Sequence, residues 1–496
     1  MTLASWTWMF FGLFICGIVY LTYRAYRRTK TLKDFTTAPR SYGPIFIALA
    51  FGATSCSAAA TMGNPGLVAG TGWPGLWYGM GGYGGVTAAV ATSAFLLSRV
   101  GKNVGAKSMP DFLGIRFNSP AMRLITAIFC ITALWYIAGQ LVGVSYVFST
   151  ACGTAYVTGL LIAGVVIAAY MAFGGTHADI LNCFVQGIIM CIFAVVVTVL
   201  VVTHVGGIGA IDQAVTAIDP SFSSSVVFKD PLFGPFSGPA VFIALALFGL
   251  TPQLSKMWLA LDDERHVPRT LLYLMGWWAF MAMLFWFGGL GGKALFPDLR
   301  PDLGTVTIIT TFLPAPAAGF LSLGIIAAVM STTGTLYLVI ATAISTDIYR
   351  DFVVPRLKSR PPGDALDRRV LLITRILIPI VMGIGILIAL RPPAYLTGLM
   401  WVGLGAFIAG VVPVMMVSSL WKRTTRPAAI AASIAGFAAH MICYWGIGIG
   451  MGVPVFKAAW SGCGVGLIVS FILVFAISKF TEPPPKEYLD RLFAKS

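Results

Sequence analysis

Charge is what this chain has least of. Only 10% of its 496 residues are Asp, Glu, Lys or Arg, against 58% hydrophobic, and the mean hydropathy is +0.87. A soluble chain carries about 25% charged residues, so a water-facing surface could not be covered and a string of soluble domains is excluded. No CxxC pair occurs, and the eight cysteines all fall within or at the edge of apolar runs. They read as small buried residues, neither a disulfide framework nor a metal site. No HExxH occurs, the 18 acids sit in or near loops, and Asp262-Asp263-Glu264 is a solvated run. A membrane enzyme would therefore lack its metal or acid–base cluster, and no cofactor is expected. The formal charge of +15 does not point to nucleic acid, because there is no soluble domain to gather basic residues on one face.

What the chain has in abundance is apolar runs of membrane-spanning length, about 20 residues each. Thirteen segments are expected, at 5–23, 42–63, 74–98, 122–150, 155–173, 178–204, 236–258, 270–292, 313–345, 370–390, 394–420, 427–449 and 454–478. The fold class is an all-α polytopic membrane protein, a single transporter-like domain over the whole chain. With the N-terminus outside, 28 of the 33 Lys and Arg fall on the cytoplasmic side and 5 opposite. The positive-inside rule then sets that orientation, with a cytoplasmic C-terminus. The first segment is not read as a cleaved signal, since its basic cluster Arg27, Arg28 and Lys30 follows it. The tail, 479–496, is expected to be a short cytoplasmic extension with no room for a fused signalling module.

Two segments are interrupted by helix breakers. Segment 2 carries Gly52-Ala-Thr-Ser-Cys-Ser57 and then Gly63-Asn-Pro-Gly66; segment 7 carries Gly249-Leu-Thr-Pro-Gln253. Either break alone suits close packing or a kink. Five segments apart and running in opposite directions, the two are what an inverted repeat requires. Repeat one is expected over 42–204 and repeat two over 236–420, with two extra helices at 427–478. Secondary transporters place their sites at such breaks. In segment 9, Ser331 and Thr332 offer adjacent hydroxyls among alanines that let a partner helix approach. Sodium is a small hard cation that neutral hydroxyls and carbonyls can hold. Polar residues at similar depth, Ser55, Ser57, Thr61, Gln140, Thr251 and Gln253, are the solute-binding candidates. Trp135, Tyr136 and Trp401 are candidate apolar walls, and His440 reads as a packed, hydrogen-bonded residue.

Several stretches resemble the sodium:solute symporter family over about 33–426. They are Ser108-Met-Pro-Asp-Phe-Leu-Gly-Ile-Arg-Phe117, Ala172-Phe-Gly-Gly175, Asn182-Cys-Phe-Val-Gln-Gly-Ile-Ile-Met190, Ala327-Ala-Val-Met-Ser-Thr332 and Ser345-Thr-Asp-Ile-Tyr-Arg350. Tyr156-Val-Thr-Gly159, Phe296-Pro-Asp-Leu299, Leu313-Pro314 and Arg391-Pro-Pro393 look most like the sodium/pantothenate branch. The resemblance implies a leucine-transporter-type five-plus-five inverted repeat. It also implies a sodium site made by the carbonyls of Ala53, Cys56 and Ala328 with the hydroxyls of Ser331 and Thr332.

The chain departs from the family pattern at two positions where many members carry an acid, Ser55 and Cys183. Their replacement argues against a second sodium ion and against proton coupling through a carboxylate. Asp179, a turn before Cys183, reads as a helix N-terminal charge. The expected function is sodium-coupled import of a small organic solute by alternating access, across the plasma (inner) membrane. The favoured solute is a carboxylate such as pantothenate or another monocarboxylate. The alternatives are a proline-like amino-acid symporter, or a solute-sensing homologue without transport. Expected partners are sodium, the solute and the lipid bilayer, with no nucleic acid and no obligate protein partner.

Overall fold

The computed structural model describes the chain except residues 29–34, 36–41, 225–231, 358–360, 394 and 495–496. Lys30, Lys33, Arg40, Lys229, Lys358, Arg360 and Lys495, which enter the charge tally above, lie outside the described residues.

A chain this apolar must satisfy its backbone hydrogen bonds internally, and it does so as helices. Among the described residues, ten helices are long and apolar enough to cross a bilayer, and eleven if the bent pair Pro44–Ser55 and Ala59–Thr71 counts as one span. Segments 5 and 6 are joined in one hydrogen-bonded run, Tyr156–Val205. At 1.5 Å per residue a straight helix of that length would reach about 75 Å, more than twice a bilayer core of roughly 30 Å. The run breaks at Gly175 (φ 59°, ψ −153°), a conformation open to glycine alone. A Cβ there would also strike Phe35. Segment 3 is likewise composite: Leu76–Met80, a π turn over Gly81–Gly85, then Val86–Val104.

Two helices form the centre of the bundle. Ala315–Thr342 and Leu396–Leu420 are buried over nearly their whole length, whereas Gly363–Ala389 exposes Leu372, Ile376, Ile380 and Leu387. Those four lie on one apolar side of the helix, which in water would be a liability and in lipid is the expected exterior. Glycine sets the closest approaches. A Cβ on Gly436 would run into the carbonyl of Ala409, and one on Gly466 into the carbonyl of Gly436, so segments 11, 12 and 13 meet backbone to backbone.

The Ser108-Met-Pro-Asp motif is a helix start. Ser108 caps Met109–Arg116, accepting the N–H of Asp111 at 3.1 Å, while the Asp111 carboxylate accepts the N–H of Lys107 at 2.9 Å. The arrangement is close to a capping box, in which cap and third helical residue each hold an N–H of the other's neighbourhood. The Ser108 hydroxyl also bonds Asp347, and Arg123 pairs with both Asp111 and Asp351. Two of the sequence stretches that carry the family resemblance are thus bolted to each other. The tail adds a feature the sequence does not announce. Residues Lys486–Phe493 form a helix that docks back, with Leu489 and Leu492 buried and the Tyr488 hydroxyl donating to the carbonyl of Ile115.

Candidate ion and solute site

Segment 2 stops its helix at Ser55. Cys56 takes φ −99°, ψ 50°, and the chain resumes as a π turn over Ala59–Gly63 and an α-helix over Asn64–Thr71, bent by 61° from the first half. A break inside a bundle leaves backbone groups that need partners, and side chains supply them. The amide oxygen of Gln140 accepts the N–H of Ala58 at 2.8 Å. The Ser57 hydroxyl accepts the N–H of Ala59 at 3.1 Å and the Tyr136 hydroxyl at 3.1 Å. Thr305 donates to the carbonyl of Thr61 at 2.7 Å.

Segment 7 breaks where Pro252 demands it. Ser237–Ala246 ends in a tight turn over Phe248–Leu250, Thr251 is extended (φ −71°, ψ 159°), and Pro252 opens the helix Pro252–Ala260. Proline at the start of a helix loses nothing, because its missing N–H has no helical acceptor there.

Between the breaks lies a small pocket. Segment 2 gives it Ser55, Cys56, Ala59, Ala60 and Asn64, and Tyr136 comes from segment 4. Aromatic rings supply much of the wall: Tyr78, Phe248, Trp278, Phe285 and Trp401. Trp401 donates its indole N–H to the Tyr78 hydroxyl at 2.8 Å, and the two rings meet edge to face. None of the lining side chains is charged.

A set of oxygens converges beside this cavity. The Ser331 hydroxyl lies 2.9 Å from the carbonyls of both Ala53 and Ala328. The Thr332 hydroxyl lies 2.9 Å from the carbonyl of Thr54 and 3.3 Å from that of Ala328. Ser331 and Thr332 are buried, and the carbonyls of Ala53 and Thr54 come from the last turn before the segment 2 break. Neutral oxygens from two helices, one of them interrupted, suit a hard monovalent cation.

Four of the five residues assigned to the ion, Ala53, Ala328, Ser331 and Thr332, are joined by these bonds. Cys56 lies at the break and borders the cavity, and Thr54 adds a carbonyl that the sequence pattern did not single out. The polar solute candidates and the candidate wall residue Trp401 divide three ways, with Thr61 on the π turn of segment 2, buried and held at the break through its carbonyl. Ser55 and Trp401 line the central cavity; Thr251 and Gln253 line a neighbouring one with Pro252 and Leu404. Ser57 and Gln140 hold the break. Trp135 packs against Trp445 and is absent from the cavity lining. Tyr78, Trp278, Phe248 and Asn64 were missed. Aromatics are frequent in this chain, and nothing local separates a ring facing the cavity from one facing lipid. His440 bonds the carbonyl of Val402 at 3.0 Å and packs on Gly405, in keeping with a structural role. Asp179 does stand in the first turn after the Gly175 kink, but it is buried and ion-paired to Lys256 at 2.7 Å.

Interrupted helices that meet at a buried oxygen set beside an aromatic-lined pocket are the arrangement expected of a secondary transporter. Solved structures agree on the fold. This structure superposes on a Na⁺-coupled sialic acid symporter in a substrate-bound outward-open state with a TM-score of 0.78, at 16% identity over 96% of this chain and 98% of that one. A nucleobase-cation-symport-1 family transporter in a closed conformation gives 0.58 at 12% identity, over 92% and 97%. The architecture is leucine-transporter-like. The family model of the sodium:solute symporter family matches residues 35–436, and the chain belongs to that family. Among its relatives are the high-affinity proline transporter PutP of Bacillus subtilis, 28% identical over 96% of this chain and 98% of the relative, and the sodium/pantothenate symporter of Escherichia coli, 28% identical over 83% and 84%.

Proposed function

We propose that this protein is a sodium-coupled symporter that imports a small carboxylate-bearing solute across the cytoplasmic membrane by alternating access. The observation that carries the coupling is the oxygen set of Ala53, Thr54, Ala328, Ser331 and Thr332. Sodium bound there clamps segment 2 against segment 9 and so fixes the first wall of the solute cavity. Binding of ion and solute then reinforce each other, and the coupling is reciprocal. The proposal includes thirteen crossings with the N-terminus outside, supported by the 28 to 5 division of basic residues.

Relatives of the chain are named for proline and for pantothenate. The cavity favours the compact zwitterion. The aromatic side chains lining it, Tyr78, Phe248, Trp278, Phe285 and Trp401, suit an ammonium, while backbone groups at the two breaks suit a carboxylate. Pantothenate would bring an amide and two hydroxyls into a wall whose polar side-chain groups are few. The deciding experiment is thermal stability of the purified protein with proline, pantothenate, other small acids and a set of sugars, each in sodium and in potassium. A solute at 100 times its dissociation constant stabilises by about 2.7 kcal/mol. A shift with proline only in sodium is the expected result. A shift with a sugar alone, or with any solute equally in potassium, contradicts the reading.

A further inference from the structure

One buried ion pair stands a single helical turn from the sodium oxygens. Asp179 is 1% exposed and Lys256 8%. The Lys256 ammonium lies 2.7 Å from Oδ2 of Asp179, and the Thr335 hydroxyl lies 2.7 and 2.8 Å from its two oxygens. Three segments meet here: Asp179 from segment 6, Lys256 from segment 7 beyond its break, and Thr335 from segment 9. The same Thr335 hydroxyl is 3.0 Å from the carbonyl of Ser331, whose own hydroxyl bonds Ala53. Cys183 adds a sulfur within 3.6 Å of that carbonyl and 3.8 Å of Asp179. A continuous chain of polar atoms therefore runs from the ion cage to the carboxylate.

We propose that the Asp179 carboxylate and the Thr335 hydroxyl form a second cation position, filled in this protein by the tethered ammonium of Lys256. The inference rests on the sodium-coupled reading above and adds to it the number of ions carried. Removing two charges from water costs several kcal/mol per ion even after relaxation, so a bare carboxylate at this depth would draw in a cation. Lysine suits the position, because its ammonium is a compact charge with three donors on a flexible stem. Because that cation is covalently attached, it cannot travel with the solute. The transport cycle then carries one mobile sodium ion, although the bundle holds two cation positions. The ammonium also places a positive charge next to the cage, which weakens the hold on sodium and favours its release.

The pair makes the proposal testable by subtraction. Sodium and solute fluxes are measured together in proteoliposomes for wild type, K256Q and the double variant D179N/K256Q. Wild type is expected to carry one sodium per solute, with a Hill coefficient for sodium near one. K256Q frees the carboxylate for a mobile ion, so its flux ratio and Hill coefficient rise toward two and half-activation shifts to lower sodium. D179N/K256Q has no charge at the position and returns to a ratio of one. An unchanged ratio in a transporting K256Q overturns the proposal, as does a ratio of two in wild type. Should K256Q fail to fold even in high sodium while D179N/K256Q folds, the proposal falls as well, because a cation position would have been filled. Solute flux in wild type that ignores sodium altogether would instead defeat the symporter reading.

Discussion

Ser331 and Thr332 each reach across to a different carbonyl of segment 2, Ala53 for one and Thr54 for the other. Removing either hydroxyl takes one oxygen from the proposed ion site and one bond from the helix contact. Ser331→Ala and Thr332→Ala are each expected to raise half-activating sodium about tenfold, the equivalent of about 1.4 kcal/mol, while maximal uptake in saturating sodium is retained. Uptake measured against sodium concentration checks this, and unchanged activation in both variants would remove the site.

Asp302 makes a different kind of prediction. It sits in the loop between segments 8 and 9, accepts the N–H of Leu396 at 3.1 Å, and lies so close to Gly66 that a Cβ there would collide with it. Burial raises its pKa to about 7, with the Leu396 N–H and Arg300 pulling the other way. The unfolded value is near 3.9. A carboxyl whose folded pKa is the higher contributes most to stability below about pH 4 and loses that contribution as pH rises toward about 7. Asp302→Asn keeps the acceptor without the charge, so its melting temperature is expected to gain on wild type across that window. Parallel melting curves over the same pH range would show that Asp302 is not the responsible group.

At the scale of elements, the breaks are what the site is built on. Glycine, small hydroxyl residues and proline marked both of them in the sequence, since those residues disfavour a continuous helix. The partners of the breaks were not legible in the same way. Gln140 stands out in the sequence as an amide in an apolar helix, but an amide serves a solute and a backbone N–H equally well, and only the fold brings it to Ala58. Gln140→Leu roughly keeps the volume and strands that N–H, at a cost of about 1–3 kcal/mol. Lower thermal stability together with weaker solute affinity is expected, and wild-type melting would contradict the bracing role. Gly175 marks a further break. Ala in its place would need a backbone conformation that costs of order 1–3 kcal/mol and would press on Phe35, so Gly175→Ala should sharply reduce the yield of folded protein in a detergent gel-filtration assay.

Lys256 shows why charge patterning misleads near helix ends. It stands at the end of an apolar segment, and the tally of basic residues assigned it to the cytoplasmic side. Its long stem instead carries the ammonium back into the bundle, to a carboxylate 77 residues away in sequence. Asp179 alone looked like a helix-end charge, and its position after the Gly175 kink bears out half of that. No local pattern joins the two residues; their pairing belongs to the packing of segments 6 and 7.

For the molecule as a whole, hydropathy and breaker residues carried the all-helical membrane architecture, and motif resemblance carried the family. What they did not carry was the assignment of aromatic rings to the cavity, because Trp and Tyr serve membrane interfaces as readily as pockets. Nor did they show that the tail is structured. Its helix caps Arg116, which is buried between the carbonyls of Ser418 and Lys422 and the rings of Phe117 and Phe493. Burial lowers the pKa of this guanidinium to about 10, with Tyr488 opposing the shift. This contact joins the tail to the loops beside segments 3, 4, 11 and 12.

The most direct test of the central claim is solute uptake into proteoliposomes driven by an inward sodium gradient, against an equal potassium gradient, for wild type and Ser331→Ala/Thr332→Ala. Sodium-driven accumulation of proline in wild type, absent in potassium and weakened in the double variant through a higher sodium requirement, is the result predicted here. Accumulation that is equal in both salts, or untouched by loss of the two hydroxyls, would contradict the account.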